Sequence, residues 1–303
     1  MRITANQFKK FTKNKTPYFL KKKFKELNYT FLNKKEEKIK ILEIIKTIHK
    51  SYIKKSGKSY KKNWNNGWNE NYLMYKKSSK DTDLIPKYFF KNKFSRIGDN
   101  LIKTFSKNFD YKVLKLITSY LFFKYLKNEK NIIEFGAGTG HNLINLSKIN
   151  KSANLYGLDW SKSSQKIFKL VSKKYKKILG YKFDYYKPSF NKKMHLKKNE
   201  WSCFTIASLE QIGKDFKPFL KFLQKQKPNI VVNLEPINEL MNQNKILDYL
   251  SVEYSKKRNY LDTYYLYLKK LEEKKIIKII EKRKSYFGSF YINGYSIIVW
   301  KYL

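Results

Sequence analysis

The chain has 303 residues, room for one large α/β domain with an appended piece of roughly 100 residues at usual domain sizes. No apolar run reaches the ~18 residues of a membrane span, the start MRITANQFKKFTKNK lacks the apolar core of a secretion signal, and the single cysteine, Cys203, excludes an internal disulfide and any cysteine-based zinc site. The formal charge of +43 would alone suggest a nucleic-acid partner, yet only four of the 67 basic residues are arginine, the better reader of phosphates and bases, and the lysines are spread along the whole chain.

Lys, Asn, Ile, Tyr and Phe are abundant together and share A/T-rich codons, so a nucleotide bias accounts for the charge more simply than selection for binding. A cytoplasmic protein without a metal is expected. Arginines that persist against such drift, Arg96, Arg258 and Arg283, become candidates for places that need a planar bidentate donor.

Residues 1–110 read as an N-terminal, mainly helical extension that could act as a lid, and residues 111–303 as the main domain. Asn33 with Glu36 forms a capping pair for a helix over 34–54, with Leu42, Ile45 and Tyr52 on one face and Ile41 and Ile48 beside it. His49 near that face reads as a solvated or core-edge histidine. In the aliphatic-poor stretch 55–83, Tyr60, Trp64, Trp68 and Tyr72 recur every four residues, which on a helix makes one stripe of rings. Packing against the main domain is the ordinary role of such a stripe. The sharper alternative is a lid whose rings, with Asn65, Asn66 and Glu70 between them, cover a small polar substrate. Segment 84–100 then brings Arg96 toward the main domain.

A helix over Tyr111 to Lys127 precedes Ile132, Ile133 and Phe135, a short apolar run that stops at Gly136 as a buried parallel strand does at a turn. Gly136, Gly138 and Gly140 allow positive φ and a close approach of backbone to ligand. A helix over 141–149 points its free N–H groups back at that turn. The next apolar run, Ala153 to Leu158, ends in Asp159, whose carboxylate can accept both hydroxyl protons of a ribose. The nicotinamide fingerprint G-x-G-x-x-G would need a third glycine at the position of His141, and Glu134 sits badly beside a pyrophosphate. A sulfonium and an α-ammonium would suit that carboxylate better.

Glu134-Phe-Gly136-Ala-Gly138-Thr-Gly140 matches E/D-x-G-x-G-x-G without a gap, and here the chain resembles the class I S-adenosylmethionine-dependent methyltransferases over roughly residues 110–303. A generic Rossmann-like turn for another nucleotide is the alternative. The resemblance implies a doubly wound seven-stranded α/β sheet in the order 3-2-1-4-5-7-6 with the last strand antiparallel, and S-adenosylmethionine as cofactor. It also implies a cofactor site made of Glu134, Gly136, Ala137, Gly138, Gly140, His141, Asp159, Trp160, Asp184 and Ser208. Within it, Asp184 accepts from the adenine amino group and His141 lies over the methionine end.

Beyond Asp159, a helix over 161–178 starts at Ser161 as cap. A weak third strand, Tyr181 to Phe183, ends at Asp184. The fourth strand, Trp201 to Ala207, ends in Ser208-Leu209-Glu210-Gln211 at the carboxyl edge where ligands bind. Cys203 within it reads as a buried small side chain. The fifth strand, Ile230 to Leu234, ends in Glu235-Pro236, one or two helices fill 246–273, and two final strands, Ile276 to Ile280 and Tyr286 to Trp300, are joined around Gly288 and Gly294.

Methyl transfer asks mainly for alignment, and a hydroxyl or ammonium acceptor also needs a general base. Glu210 is the first choice and Glu235 the second, although Glu235 with Glu239 would also stabilise a helix N-terminus without any chemistry. N/D-P-P-Y/F, frequent after the fourth strand in enzymes that methylate amide or amino nitrogens, is replaced by Ser208-Leu-Glu-Gln, which argues against DNA adenine methylation. A small polar or sugar-like acceptor is expected. An RNA methyltransferase held by N-terminal lysines and a non-catalytic cofactor-binding protein are the alternatives.

Overall fold

The computed structural model describes residues 1–91, 93–106 and 108–303. Its strands are β1 (Tyr29–Phe31), β2 (Phe94–Ile97), β3 (Asn100–Thr104), β4 (Asn131–Phe135), β5 (Asn154–Asp159), β6 (Ile178–Lys182), β7 (Ser202–Ile206), β8 (Val231–Glu235), β9 (Ile277–Arg283), β10 (Phe287–Ser289) and β11 (Ser296–Tyr302). Its α-helices are α1 (Ala5–Thr12), α2 (Tyr18–Lys21), α3 (Lys34–Ile48), α4 (Lys61–Ser78), α5 (Phe109–Leu121), α6 (His141–Ser147), α7 (Lys162–Lys174), α8 (Lys217–Gln226), α9 (Ile246–Arg258) and α10 (Tyr264–Glu273).

Seven strands form the main sheet in the order β6-β5-β4-β7-β8-β11-β9, which is 3-2-1-4-5-7-6 when its own strands are numbered. The first five are parallel, and β11 runs antiparallel to both β8 and β9. Alternation along the strands splits the core in two. Ile132, Leu155, Phe204 and Val299 face α5, α6 and α7, while Ile133, Cys203, Val231 and Trp300 face α8 and α10. Two glycines thin the sheet for one ring: a Cβ at Gly157 would lie 2.0 Å, and one at Gly180 2.2 Å, from buried Phe168 of α7. Gly157→Ala should therefore cost about 3 kcal/mol of stability, the upper end of overpacking penalties. Phe168→Leu in the same chain should recover part of that loss in denaturant unfolding, and strictly additive penalties would remove the explanation.

The N-terminal part holds a second sheet that the sequence did not suggest, antiparallel in the order β1-β3-β2-β10. Its last strand comes from the other end of the chain. Tyr286 to Trp300 is thus not one strand: Phe287–Ser289 leaves to pair with β2, and the chain returns to the main sheet only at Ser296. Phe8 and Phe11 of α1 pack on Phe287, and Phe8 also meets Tyr120 of α5, so one core crosses the expected boundary at 110/111.

The Asn33–Glu36 capping box forms, but α3 stops at Ile48 instead of 54 and buries Ile44 and Ile48 against Leu247 and Leu250 of α9. Leu42 and Tyr52, expected on the inner face, are exposed. Arg96 is fully buried, and its guanidinium donates to the carbonyls of Leu247, Phe290 and Tyr291. This planar fork fastens the small sheet to α9 and the 290s loop.

Candidate active site

At the carboxyl ends of β4, β5 and β7 the chain builds a cavity of about 800 Å³, counted to include its open mouth. Gly136, Gly138 and Gly140 all take positive φ there. Gly136 N–H and Ala137 N–H donate to Leu158 O at 2.8 and 3.1 Å, which folds the turn over β5. A Cβ on Gly136 would come within 2.4 Å of Ser208, and one on Gly138 within 2.9 Å of Trp68, so small residues are required on both sides of the cradle. Asp159 at the tip of β5 accepts Gly138 N–H at 2.9 Å and Ser161 N–H at 2.8 Å. Each oxygen keeps a second lone-pair site for a ligand hydroxyl. Burial pushes its carboxyl up to about 6 against the pull of those two N–H groups.

Three residues lining the cavity carry a buried polar atom with no partner among the described residues: Glu134 Oε2, His141 Nε2 and Tyr186 OH. Glu134 receives Asn142 Nδ2 on its other oxygen at 2.7 Å, and burial raises its pKa well above the ordinary range. The histidine tautomer follows from its neighbour. Thr139 Oγ1 gives its only proton to Leu84 O at 2.6 Å, so at 3.0 Å it must accept from His141 Nδ1–H. Burial and Lys115 lower the His141 pKa to about 3 and keep the ring neutral, leaving Nε2 as a bare acceptor. A buried carboxyl and a bare imidazole nitrogen facing one cavity ask for a ligand with cationic N–H donors. The α-ammonium and the two ribose hydroxyls of S-adenosylmethionine fit this donor and acceptor set.

The aromatic stripe roofs this cavity and also packs. Tyr60 precedes α4, Trp64 stacks on Trp68 at 5.3 Å, and Tyr72 lies against the core. Asn65 anchors the roof by accepting Ser161 Oγ–H and Ser163 N–H at the start of α7, and Glu70 pairs with Lys87. Lys61, one turn before Asn65, forms an ion pair with Asp184 at 2.6 Å and lies over Trp160 and Tyr186. Asp184 and Trp160 therefore line the cavity, as do all the other expected cofactor residues except Gly140, whose Cβ position faces Phe168 instead. Ser208 Oγ donates to Phe135 O and so accepts from Tyr185 OH, both at 3.0 Å. Lys61, Tyr185 and Ala207 line the cavity and were not singled out from sequence, and Gln211, expected only as part of the carboxyl edge, lines it too. Ala207 sits at φ 47, a strained non-glycine conformation at the tip of β7.

A second cavity, about 1520 Å³ when its open mouth is included, adjoins the first and shares Trp64, Trp68, Tyr88, Ala207 and Gln211 with it. Glu210 lines this second space. Gln211 Nε2 donates to its Oε1 at 2.7 Å, and burial, then the nearby Glu235 carboxylate, push its pKa up to about 8. Glu235 lines neither cavity. It is fully buried and accepts the N–H groups of Ser208, Leu209 and Glu210 at 3.1–3.3 Å, which fixes the turn that carries Glu210. Glu239 accepts Tyr265 and Leu266 N–H at the start of α10.

These carboxyls set a pH dependence of stability. Asp110 and Glu235, both raised by burial to about 7, Glu210 at about 8 and Glu134 hold protons in the folded chain that the unfolded chain has lost above pH 5. Their stabilisation is present at low pH and disappears as pH rises through the folded values. The depressed His141 acts oppositely, but only below its ordinary 6.5. Between pH 6.5 and 8 Asp110, Glu235 and Glu210 should each remove roughly 1 kcal/mol, and the melting temperature should fall by on the order of 5 °C. Melting curves at the two pH values check this; a flat or rising midpoint contradicts the burial of these groups.

No family model matches the chain, and no curated protein matches it. Solved structures do. The N,N-8-amino-8-demethyl-D-riboflavin dimethyltransferase RosA from Streptomyces davawensis is 11% identical over 65% of this chain and 57% of that chain, with a TM-score of 0.44. The CurJ carbon methyltransferase is 14% identical over 63% of this chain and 55% of its own, with a TM-score of 0.43. The methyltransferase domain of bacterial CtHen1-C is 16% identical over 63% and 98%, with a TM-score of 0.47. The chain thus spans little more than half the length of the first two.

Proposed function

We propose that the chain is an S-adenosylmethionine-dependent methyltransferase of class I whose acceptor is a small molecule held in the second cavity. The observation that carries this reading is the buried, unpartnered Glu134 oxygen inside a glycine cradle that also holds Asp159. Glu134 and His141 Nε2 hold the α-ammonium, Asp159 holds the ribose hydroxyls, and Trp160 and Asp184 stand at the adenine end, where Lys61 must share or release Asp184. When bound, the cofactor supplies a methyl carbon on a sulfonium, so that a bond to the acceptor forms as the carbon–sulfur bond breaks and its electron pair stays on sulfur.

The protein's contribution is alignment, water exclusion and proton removal. Trp64 and Trp68 of α4 close both cavities at their junction, which keeps water from the reacting atoms. Glu210, fixed by Glu235 through the backbone, takes the acceptor proton. The aromatic walls of the second cavity support a small-molecule acceptor. Turnover is expected to vary little between ~50 and 200 mM salt, whereas binding through phosphate contacts would weaken steeply.

Calorimetry with S-adenosylmethionine and S-adenosylhomocysteine tests the cofactor assignment, with NAD and ATP as controls. Binding of the first two alone is expected. It should release protons, read from heats in buffers of different ionisation enthalpy, because an ammonium beside Glu134 lowers a pKa that burial has raised. Uptake of NAD or ATP in preference would end the proposal.

A further inference from the structure

We propose that the second cavity is built for a planar aromatic acceptor bearing a hydroxyl and an anionic group, with Arg258 as the residue that holds the anion. The inference rests on the methyltransferase reading and names the acceptor class of that site.

Three observations converge. The first is the wall: Tyr60, Trp64, Trp68, Phe89, Tyr260 and Tyr295 surround the space, a lining suited to a flat ring. The second is that several polar side chains at its edge already have partners. Asn71 Nδ2 donates to the carbonyls of Asp83 and Ile85, Glu70 pairs with Lys87, Asp110 accepts Ser95 Oγ–H, and Gln211 bridges Trp64 and Glu210. A sugar, with a hydroxyl on nearly every carbon, would need most of these groups free. The third is Arg258, the last residue of α9. Its guanidinium lies 5.7 Å from the Tyr60 ring centre and 5.2 Å from that of Tyr260, and its buried Nε has no hydrogen-bond partner among the described residues. A guanidinium beside two rings with an unused buried N–H offers a charged donor to a carboxylate or similar oxyanion.

Glu210 faces the same space and takes the hydroxyl proton of the acceptor. The excess positive charge of the whole chain draws anions toward it.

The test uses the full chain and a panel of 4-hydroxybenzoate, 4-hydroxycinnamate, their methyl esters, and glucose. Direct binding is read by calorimetry with and without S-adenosylhomocysteine, and transfer by label from methyl-tritiated cofactor. The free acids should bind and accept label at least ~10-fold better than the esters, and glucose should do neither. Arg258→Gln should raise KM for the acids ~10-fold or more with little effect on the esters, and Arg258→Lys should restore part of the preference. Cofactor binding by each variant shows that it is folded. Equal use of acids and esters, preference for glucose, or no binding of any aromatic acid by a chain that binds cofactor would overturn the inference. Failure to bind cofactor would instead sink the methyltransferase reading, and acid binding would still report on the cavity.

Discussion

Glu210→Gln is expected to lower kcat by ~10²–10⁴-fold while leaving cofactor affinity within about twofold, the range that removal of a general base produces. Gln keeps the shape and the Oε1 that accepts Gln211 Nε2, so the turn should survive. What it loses is the ability to take a proton. A base works only when ionised, so wild-type kcat/KM should climb with pH and level off above about 8, where burial has placed this carboxyl. In the variant that rising limb should vanish. Wild-type turnover in Glu210→Gln would move the base elsewhere, and Glu235 is a poor substitute because three backbone N–H groups already engage its oxygens. Glu235→Gln should instead disturb the 208–210 turn and lower stability together with activity.

The main sheet was legible because β4, β5 and β8 are apolar runs closed by glycine or an acid, and Glu134 to Gly140 supplied the pocket that goes with them; β6, expected at Tyr181 to Phe183, starts earlier at Ile178. What escaped was whatever depends on a distant partner. In α3 the residues Ile39, Ile41, Leu42, Ile44, Ile45 and Ile48 surround most of the helix, so periodicity could not choose the face that α9 would cover. Phe287–Ser289 looked like part of the last strand, but it pairs with β2, nearly 200 residues earlier.

The site shows the same division. Acids at strand tips were found, yet a tip carboxylate reads alike whether it meets a ligand or a turn. Glu235 meets a turn; Asp184 meets Lys61, which sits in a helix with no local tie to it. The arginine expectation had more content than its statistical basis suggests. Arg96 does serve as a planar donor, although its acceptors are backbone carbonyls, and Arg258 lines the second cavity.

Asp159→Ala should weaken S-adenosylmethionine binding by ~10²–10³-fold, since two ribose hydroxyls lose a charged acceptor at ~1.5–3 kcal/mol each, offset in part by water. The same carboxylate also holds Gly138 N–H and Ser161 N–H, so the alanine variant loosens the cradle as well. Asp159→Asn separates the two effects. It keeps one acceptor oxygen, and its amide can satisfy only one of the two backbone donors. If the ribose contact dominates, Asn should recover about half of the lost binding energy while regaining only a small part of the lost stability. If turn geometry dominates, stability and affinity should recover together. The thermal shift that saturating cofactor gives the wild-type chain, a few kcal/mol at ~100 times Kd, supplies the scale for both comparisons. Unchanged affinity in Asp159→Ala would take the ribose out of this pocket, and with it the cofactor.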